Sequence, residues 1–357
     1  MSENSYTRRM ELDYINAIAC LLVILIHVLS YGIANADPLS WQARIIYFPW
    51  RLSGFVVPVF LFTGAIKMAL FFKSTEITAK VYLRYMWERI RNIYFPYTVW
   101  VVIYYLCFYA AGYLEGSLSE LIISIFWGNL SGQFYYIVIV MQFYLLMPLW
   151  MRAVRKIPFF AALCVSVFIM MVALRSANIF SQIGVRFSYF DRLFPSYILF
   201  WILGIYAGAR YDQIVKYIKQ IGTGMGAVFC LCIFAGILFS YIHYSMRISL
   251  LDLDYLKIIT DIMSIVLIWT MCVRIKGNMV HVERWLSKIG KASYQVYLSH
   301  CLFLTVGTAV LEGYGFHLTE IILLRLTIGY AVPFLLYFGW RKGINGIRRC
   351  IIDRLGI

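Results

Sequence analysis

Charge is what this sequence has least of. Only 14% of its 357 residues are Asp, Glu, Lys or Arg, against roughly 25% in an average soluble domain. That shortage excludes a water-soluble fold of this size. With 62% of the residues hydrophobic, lipid must be the main solvent. Also missing are soluble domains, linkers, low-complexity tracts and any obvious repeat, so residues 1–357 read as one polytopic domain. The longest outer connection, Arg175 to Arg192, is too short to fold alone. No CxxC pair occurs among the eight cysteines, which lie at 20, 107, 164, 230, 232, 272, 301 and 350 within or beside apolar segments. They read as free thiols packing as small hydrophobes, with neither disulfide nor metal expected. The first apolar run is full length and lacks a small-residue cleavage site, so no cleavable signal peptide is expected.

What is present in abundance is long apolar runs. Each is long enough to cross a hydrocarbon core of roughly 30 Å. Because they do not alternate polar with apolar residues, they predict helices rather than barrel strands. About ten spans follow: Leu12–Tyr31, Phe55–Phe72, Ile93–Ala111, Phe134–Trp150, Phe159–Leu174, Leu193–Ala209, Met225–Tyr241, Leu256–Cys272, Ala292–Leu311 and Leu318–Trp340. The eighth carries Asp261 inside it. A further amphipathic piece, Leu118–Trp127, is expected at the interface. The fold class is therefore an all-α integral membrane protein.

The net charge of +15 raises a nucleic-acid partner, and its distribution argues against one. With the N-terminus placed inside, the inner pieces hold about 24 Lys and Arg and the outer loops about 7. Arg325, within the last helix, completes the 32. Both termini are therefore expected in the cytoplasm, with the basic excess facing anionic lipid head groups.

Ionisable groups inside apolar spans are costly, which makes them candidates for function. Asp13, Asn16, Cys20 and His27 fall on one face of the first helix. Asn16 and His27 stand eleven residues apart, about 16 Å along the axis. The stripe reads as the wall of a polar passage, with Asp13 at the cytoplasmic mouth and His27 toward the outer leaflet. Histidine takes and returns a proton near neutral pH, although a buried His bonded to a neighbouring helix fits the spacing too. Arg84, Arg89 and Arg91 precede the third span. Their guanidinium forks suit phosphates, and a plain basic flank explains them equally. Tyr294, Tyr297 and His300 share a face of the ninth span, as channel lining or as inter-helix hydrogen bonding. The outer loop with Arg175, Arg186, Asp191 and Arg192 is a candidate for acceptor contact or a salt-bridged loop end.

Together these segments resemble the acyltransferase-3 family of bacterial membrane O-acyltransferases. The resemblance runs along ELDYINAIACLLVILIH, VPVFLFTGAI, ERIRNIYFPY, SGQFYYIVIVMQFYLLMP, FWILGIYAG and KIGKASYQVYLSH, in the family's order. The central segment looks most like the branch acting on intercellular-adhesion polysaccharide, poly-N-acetylglucosamine. The resemblance implies a ten-helix enzyme of the bacterial cell membrane. It would take an acetyl or succinyl group from cytosolic acyl-CoA, a co-substrate with no bound cofactor, and deliver it to a hydroxyl of an extracytoplasmic glycan. In the family the first helix carries an Arg, ten intervening residues and then a His. His27 matches the His as general base, while Asn16 stands at the Arg position, which leaves Arg89 or Arg91, at the cytoplasmic mouth, as candidates for the donor contact. The alternative reading is an exporter of polysaccharide or lipid-linked glycan, for which inverted repeats and broken helices would be the signature.

Overall fold

The computed structural model describes residues 9–182, 187, 189–247 and 253–355, with side chains described except at 177–179, 181–182, 223 and 344–355. Among the described residues there are helices and no strands, as apolar backbone in lipid requires. In chain order they are α1 (Met10–Asn35), α2 (Trp41–Leu52), α3 (Val56–Phe71), α4 (Ala79–Arg89), α5 (Phe95–Ala110), α6 (Leu118–Trp127), α7 (Tyr135–Leu145) and α8 (Met147–Lys156). There follow α9 (Phe159–Gln182), α10 (Ile198–Ala209), α11 (Tyr211–Gln220), α12 (Thr223–Met246), α13 (Leu253–Ile275), α14 (Val280–Glu312) and α15 (Leu318–Leu355).

Eight continuous helical stretches among the described residues are long and apolar enough to cross a membrane. Two of them are composite: α2 runs on into α3, and α4 into α5 through a π-turn at Ile90–Tyr94. The pair α7–α8, bent by 60°, makes a ninth if counted as one span. Two expected spans differ: the fourth, Phe134–Trp150, runs through that bend, and the sixth is short. Leu193–Ala209 contains a 3-10 turn, Phe194–Tyr197, followed by only the 12 residues of α10. Its shortness accompanies near-complete burial, since Trp201, Phe200 and Ile205 are at most 1% exposed.

Lipid-facing and central helices separate cleanly. Large apolar side chains of α9 and α12, among them Phe160, Phe168, Leu231 and Phe234, point outward. α1 lies in the middle, packed against α14, α15, α2, α3 and α13. α10 sits tightly on α3 because Gly204 and Gly208 are one turn apart. A Cβ at Gly204 would lie 2.4 Å from the Phe62 carbonyl oxygen, and one at Gly208 2.8 Å from that of Ile66. Small residues four apart let helix backbones approach where lipid supplies no hydrophobic drive.

The start of α1 is clasped by polar bonds. Buried Glu11 accepts from Lys276 Nζ at 2.7 Å and Tyr211 Oη at 2.8 Å. Tyr14 Oη donates to Glu283 Oε2 at 2.8 Å, and Arg9 pairs with Asp212 at 2.9 Å. Asp261, the acid inside the eighth expected span, is buried and pairs with Lys257 one turn earlier.

Candidate functional site

The polar stripe of α1 divides between two neighbours. At its first turns it meets α3, where Lys67 Nζ bonds Asp13 Oδ1 at 2.8 Å. One turn on, Thr63 Oγ1 donates to Asn16 Oδ1 at 2.7 Å. Farther along it meets α14. Cys20 is fully buried there, with its thiol on the Ser293 carbonyl at 3.4 Å. Cys20 is thus a packing residue and no part of a passage wall, because α14 covers that stretch of the stripe.

At the Asp13 end lies a cavity of about 460 Å³, lined by Arg9, Asp13, Gly64, Lys67, Arg89 and Tyr144 among others. Three of those side chains are cations and one is a carboxylate. The Arg89 guanidinium lies 4.6 Å from the Tyr85 ring centre and 5.3 Å from that of Tyr144. Its Nε is buried and bonds nothing among the described residues. A buried, unsatisfied N–H on a charged group is costly unless something accepts it. Of the three arginines in this segment, only Arg89 enters the cavity. Arg84 is exposed and paired with Glu88 at 3.5 Å, and Arg91 is exposed within the π-turn.

Fourteen residues beyond Asp13 on α1, His27 faces His300 of α14, with ring centres 5.2 Å apart. His300 is fully buried. Its Nδ1 donates to the carbonyls of Tyr297 at 2.8 Å and Val296 at 3.2 Å, so Nε2 is the nitrogen that carries a lone pair. That Nε2 meets the Cys301 thiol at 3.3 Å. The ring nitrogens of His27 make no hydrogen bond among the described residues, and the side chain is only half-buried. Gly132 lies close against it: a Cβ there would stand 3.4 Å from His27 Cε1.

Three elements hold this pair in place. Arg325 of α15, 7% exposed, donates to the carbonyl of His27 at 2.9 Å, and also bonds those of Val28 and Leu304 and the Thr308 hydroxyl. Its guanidinium lies 4.9 Å from the Tyr31 ring centre. Tyr104 of α5 donates to Leu298 O at 3.0 Å and accepts the Leu302 N–H at 2.7 Å. Those are the two groups that an α-helix normally pairs with each other, so Tyr104 is wedged into the turn carrying His300. Gln133 then donates to Tyr104 Oη at 2.9 Å, while Tyr297 Oη donates to the Gln133 carbonyl. Between cavity and histidines lie aromatic rings: Phe60 and Tyr136 both pack on Tyr297, and Tyr297 on His300.

The other sequence candidates bond neighbouring backbone and side chains. Tyr294 Oη donates to the Ile93 carbonyl at 2.6 Å. Arg192 donates to the Trp127 carbonyl at 2.6 Å and lies 3.8 Å from Asp191. With Tyr189 stacked on Trp127, this loop pins the end of α6, which leads to Gly132. Arg186 lies outside the described residues. Sequence reasoning passed over Arg325, Tyr104 and Gln133. An arginine in an apolar span was signal enough for the first, whereas Tyr104 resembles an ordinary span residue and Gln133 an ordinary loop residue.

The model of the acyltransferase domain Acyl_transf_3 matches residues 10–340. The chain belongs to the acyltransferase-3 family. It is also 23% identical over 313 residues to YfiQ of Bacillus subtilis (strain 168), a protein named as a membrane-bound acyltransferase, covering 84% of this chain and 82% of that one. No solved structure matches. Family membership makes this a multi-pass membrane protein of acyl-transfer type. His27 and Asn16, which the resemblance pairs in the first helix, sit on the two sides of Cys20 described above.

Proposed function

We propose that this protein is an acyl-CoA-dependent O-acyltransferase of a bacterial cell membrane, moving an acetyl or succinyl group to a hydroxyl of an extracytoplasmic glycan. The observation that carries the reading is the pairing of two sites along α1. One is a basic cavity with an arginine whose buried Nε bonds nothing among the described residues, and the other is a half-buried histidine beside a fixed one.

In this reading both termini are cytoplasmic and the cavity opens to the cytoplasm, where the nucleotide phosphates of acyl-CoA meet Arg89, Lys67 and Arg9. Asn16, bonded to Thr63, cannot supply the charged fork found at this position in the family, and Arg89 takes that part. Asp13 serves by orienting Lys67. The thin pantetheine arm enters between α1 and α3, and the thioester reaches the region of His27. A glycan hydroxyl is a poor nucleophile until a base removes its proton. His27 takes that proton as the hydroxyl oxygen attacks the thioester carbonyl, the C–S bond breaks, and the proton passes on to the departing CoA thiolate. His300 and Arg325 act by position: one packs against the His27 ring and the other holds its backbone.

One observation favours the exporter, namely the bend between α7 and α8, since transporters use broken helices. Yet α8 carries Arg152, Arg155 and Lys156 and buries only Met147, Trp150 and Met151. That pattern fits a helix lying along the basic interface. The test is release of free CoA thiol by purified protein given acetyl-, succinyl- or longer acyl-CoA together with an oligosaccharide acceptor. Acceptor-dependent release supports the enzyme. Its absence across all donors, in folded protein, overturns it in favour of export.

A further inference from the structure

Outside the donor cavity, three metal-capable side chains converge in one cluster among the described residues. The ligand atoms of His27, His300 and Cys301 all lie within 4.8 Å of one another. We propose that these residues form a binding site for a soft divalent cation, zinc above others, whose occupation withdraws His27 from acyl transfer. Binding stands on the geometry alone; its inhibitory consequence rests on the reading of His27 as the base.

Four features support binding. Tetrahedral zinc, with bonds of about 2.0–2.1 Å to nitrogen and about 2.3 Å to sulfur, needs its ligand atoms roughly 3.3–3.9 Å apart. Cys301 Sγ and His300 Nε2 already stand at 3.3 Å. The tautomer of His300 is set: Nδ1–H is fixed on two backbone carbonyls, which is how metal-ligating histidines are oriented and which leaves Nε2 as donor. His27 can complete the set, since its ring nitrogens bond no described residue and one of them already lies within 4.8 Å of the other two ligand atoms. Three protein ligands leave one position open, as in zinc sites that exchange their fourth ligand.

The charges around the cluster select the cation. Arg325 opposes any dication, although its charge is shared among three carbonyls and the Thr308 hydroxyl. Glu312, the nearest carboxylate in this network, is engaged by Tyr31 Oη at 2.7 Å. The thiolate of Cys301 is therefore the group that compensates the metal, its proton being released on binding. A site of two imidazoles and a thiolate, without carboxylates, rejects magnesium and calcium and takes zinc or cadmium.

The experiment titrates the full-length protein in detergent with zinc alone, counting bound metal by equilibrium dialysis, and with cadmium alone, following the sulfur-to-metal charge-transfer band. The wild type should bind near-stoichiometrically and develop the band. Cys301→Ser, which keeps the hydrogen bond to His300, should lose the band and weaken binding by about 10- to 100-fold or more. Acyl transfer by the wild type should fall with zinc and recover with a chelator. Cys301→Ser should be active and resistant to zinc. No band in the wild type, or a band that survives in Cys301→Ser, overturns the site. Metal binding without any acyl turnover sinks only the transferase reading, and turnover unaffected by bound zinc sinks only the inhibitory link.

Discussion

The side chain of His27 is left without hydrogen bonds among the described residues while its own carbonyl is held by Arg325 at 2.9 Å. A base needs this combination of a fixed position and an uncommitted nitrogen. The same guanidinium ties α15 to α1 and α14. Replacing Arg325 by Lys removes the fork, since an ammonium cannot reach four acceptors in one plane. We expect Arg325→Lys to lower both thermal stability and the rate of transfer while leaving the KM for acyl-CoA nearly unchanged. An altered KM with an intact rate would assign Arg325 to the donor instead. Arg89 should behave in the opposite way. Its charge-assisted bonds to a phosphate are worth about 1.5–3 kcal/mol, so Arg89→Ala should raise the KM for acyl-CoA about 10-fold or more. Arg84→Ala and Arg91→Ala, on exposed positions, should leave it alone. Equal effects of all three would return the segment to a plain basic flank.

Among the elements, the pair α3–α10 is the most tightly constrained. Adding one methyl at Gly204 places it 2.4 Å from a carbonyl oxygen, and neither backbone can retreat without unpacking the interior around Trp201. Gly204→Ala should cost about 1–3 kcal/mol, in the range of overpacked cores, read as a lower melting temperature in detergent. Gly226→Ala, on lipid-facing α12 with nothing within 4 Å of its added Cβ, is the control and should be neutral or stabilising. The elements also mark how far the sequence could be read. Hydropathy located every long span, because lipid leaves the chain no alternative to helices. It missed α2, α4 and α11, whose apolar faces are interrupted by charge and whose place depends on packing, and it ran the fourth span straight through the bend into α8. It read α10 as a full span, since an apolar run does not reveal whether its length faces lipid or a helical interior. Similarly, the stripe from Asp13 to His27 was visible, but its division between α3 and α14 was not. Whether Cys20 lines a passage or packs is decided by the helix opposite. The coincidence of His27 with Cys301 joins residues far apart in sequence, and no local pattern announces it.

At the scale of the whole molecule, the distribution of Lys and Arg predicts which ends of the helices meet the cytoplasm. Single cysteines placed at Ser74, between α3 and α4, and at Ala36, after α1, should report opposite sides. The first should be shielded from a membrane-impermeant thiol reagent in intact cells and the second labelled. The reverse pattern would put the basic cavity outside and separate it from cytosolic acyl-CoA. Orientation matters because the proposed chemistry is vectorial: donor phosphates remain at one face while the acyl group meets its acceptor near the other.

The most direct test of that chemistry uses purified protein in detergent, radiolabelled acetyl-CoA and a glycan acceptor, comparing wild type with His27→Ala. The account predicts label transferred to the acceptor by the wild type. In the variant, transfer should fall by about 10²- to 10⁴-fold, the usual worth of a positioned base, with unchanged thermal unfolding and unchanged donor binding. Transfer that persists at the wild-type rate in folded His27→Ala protein would contradict the assignment of His27 as the base.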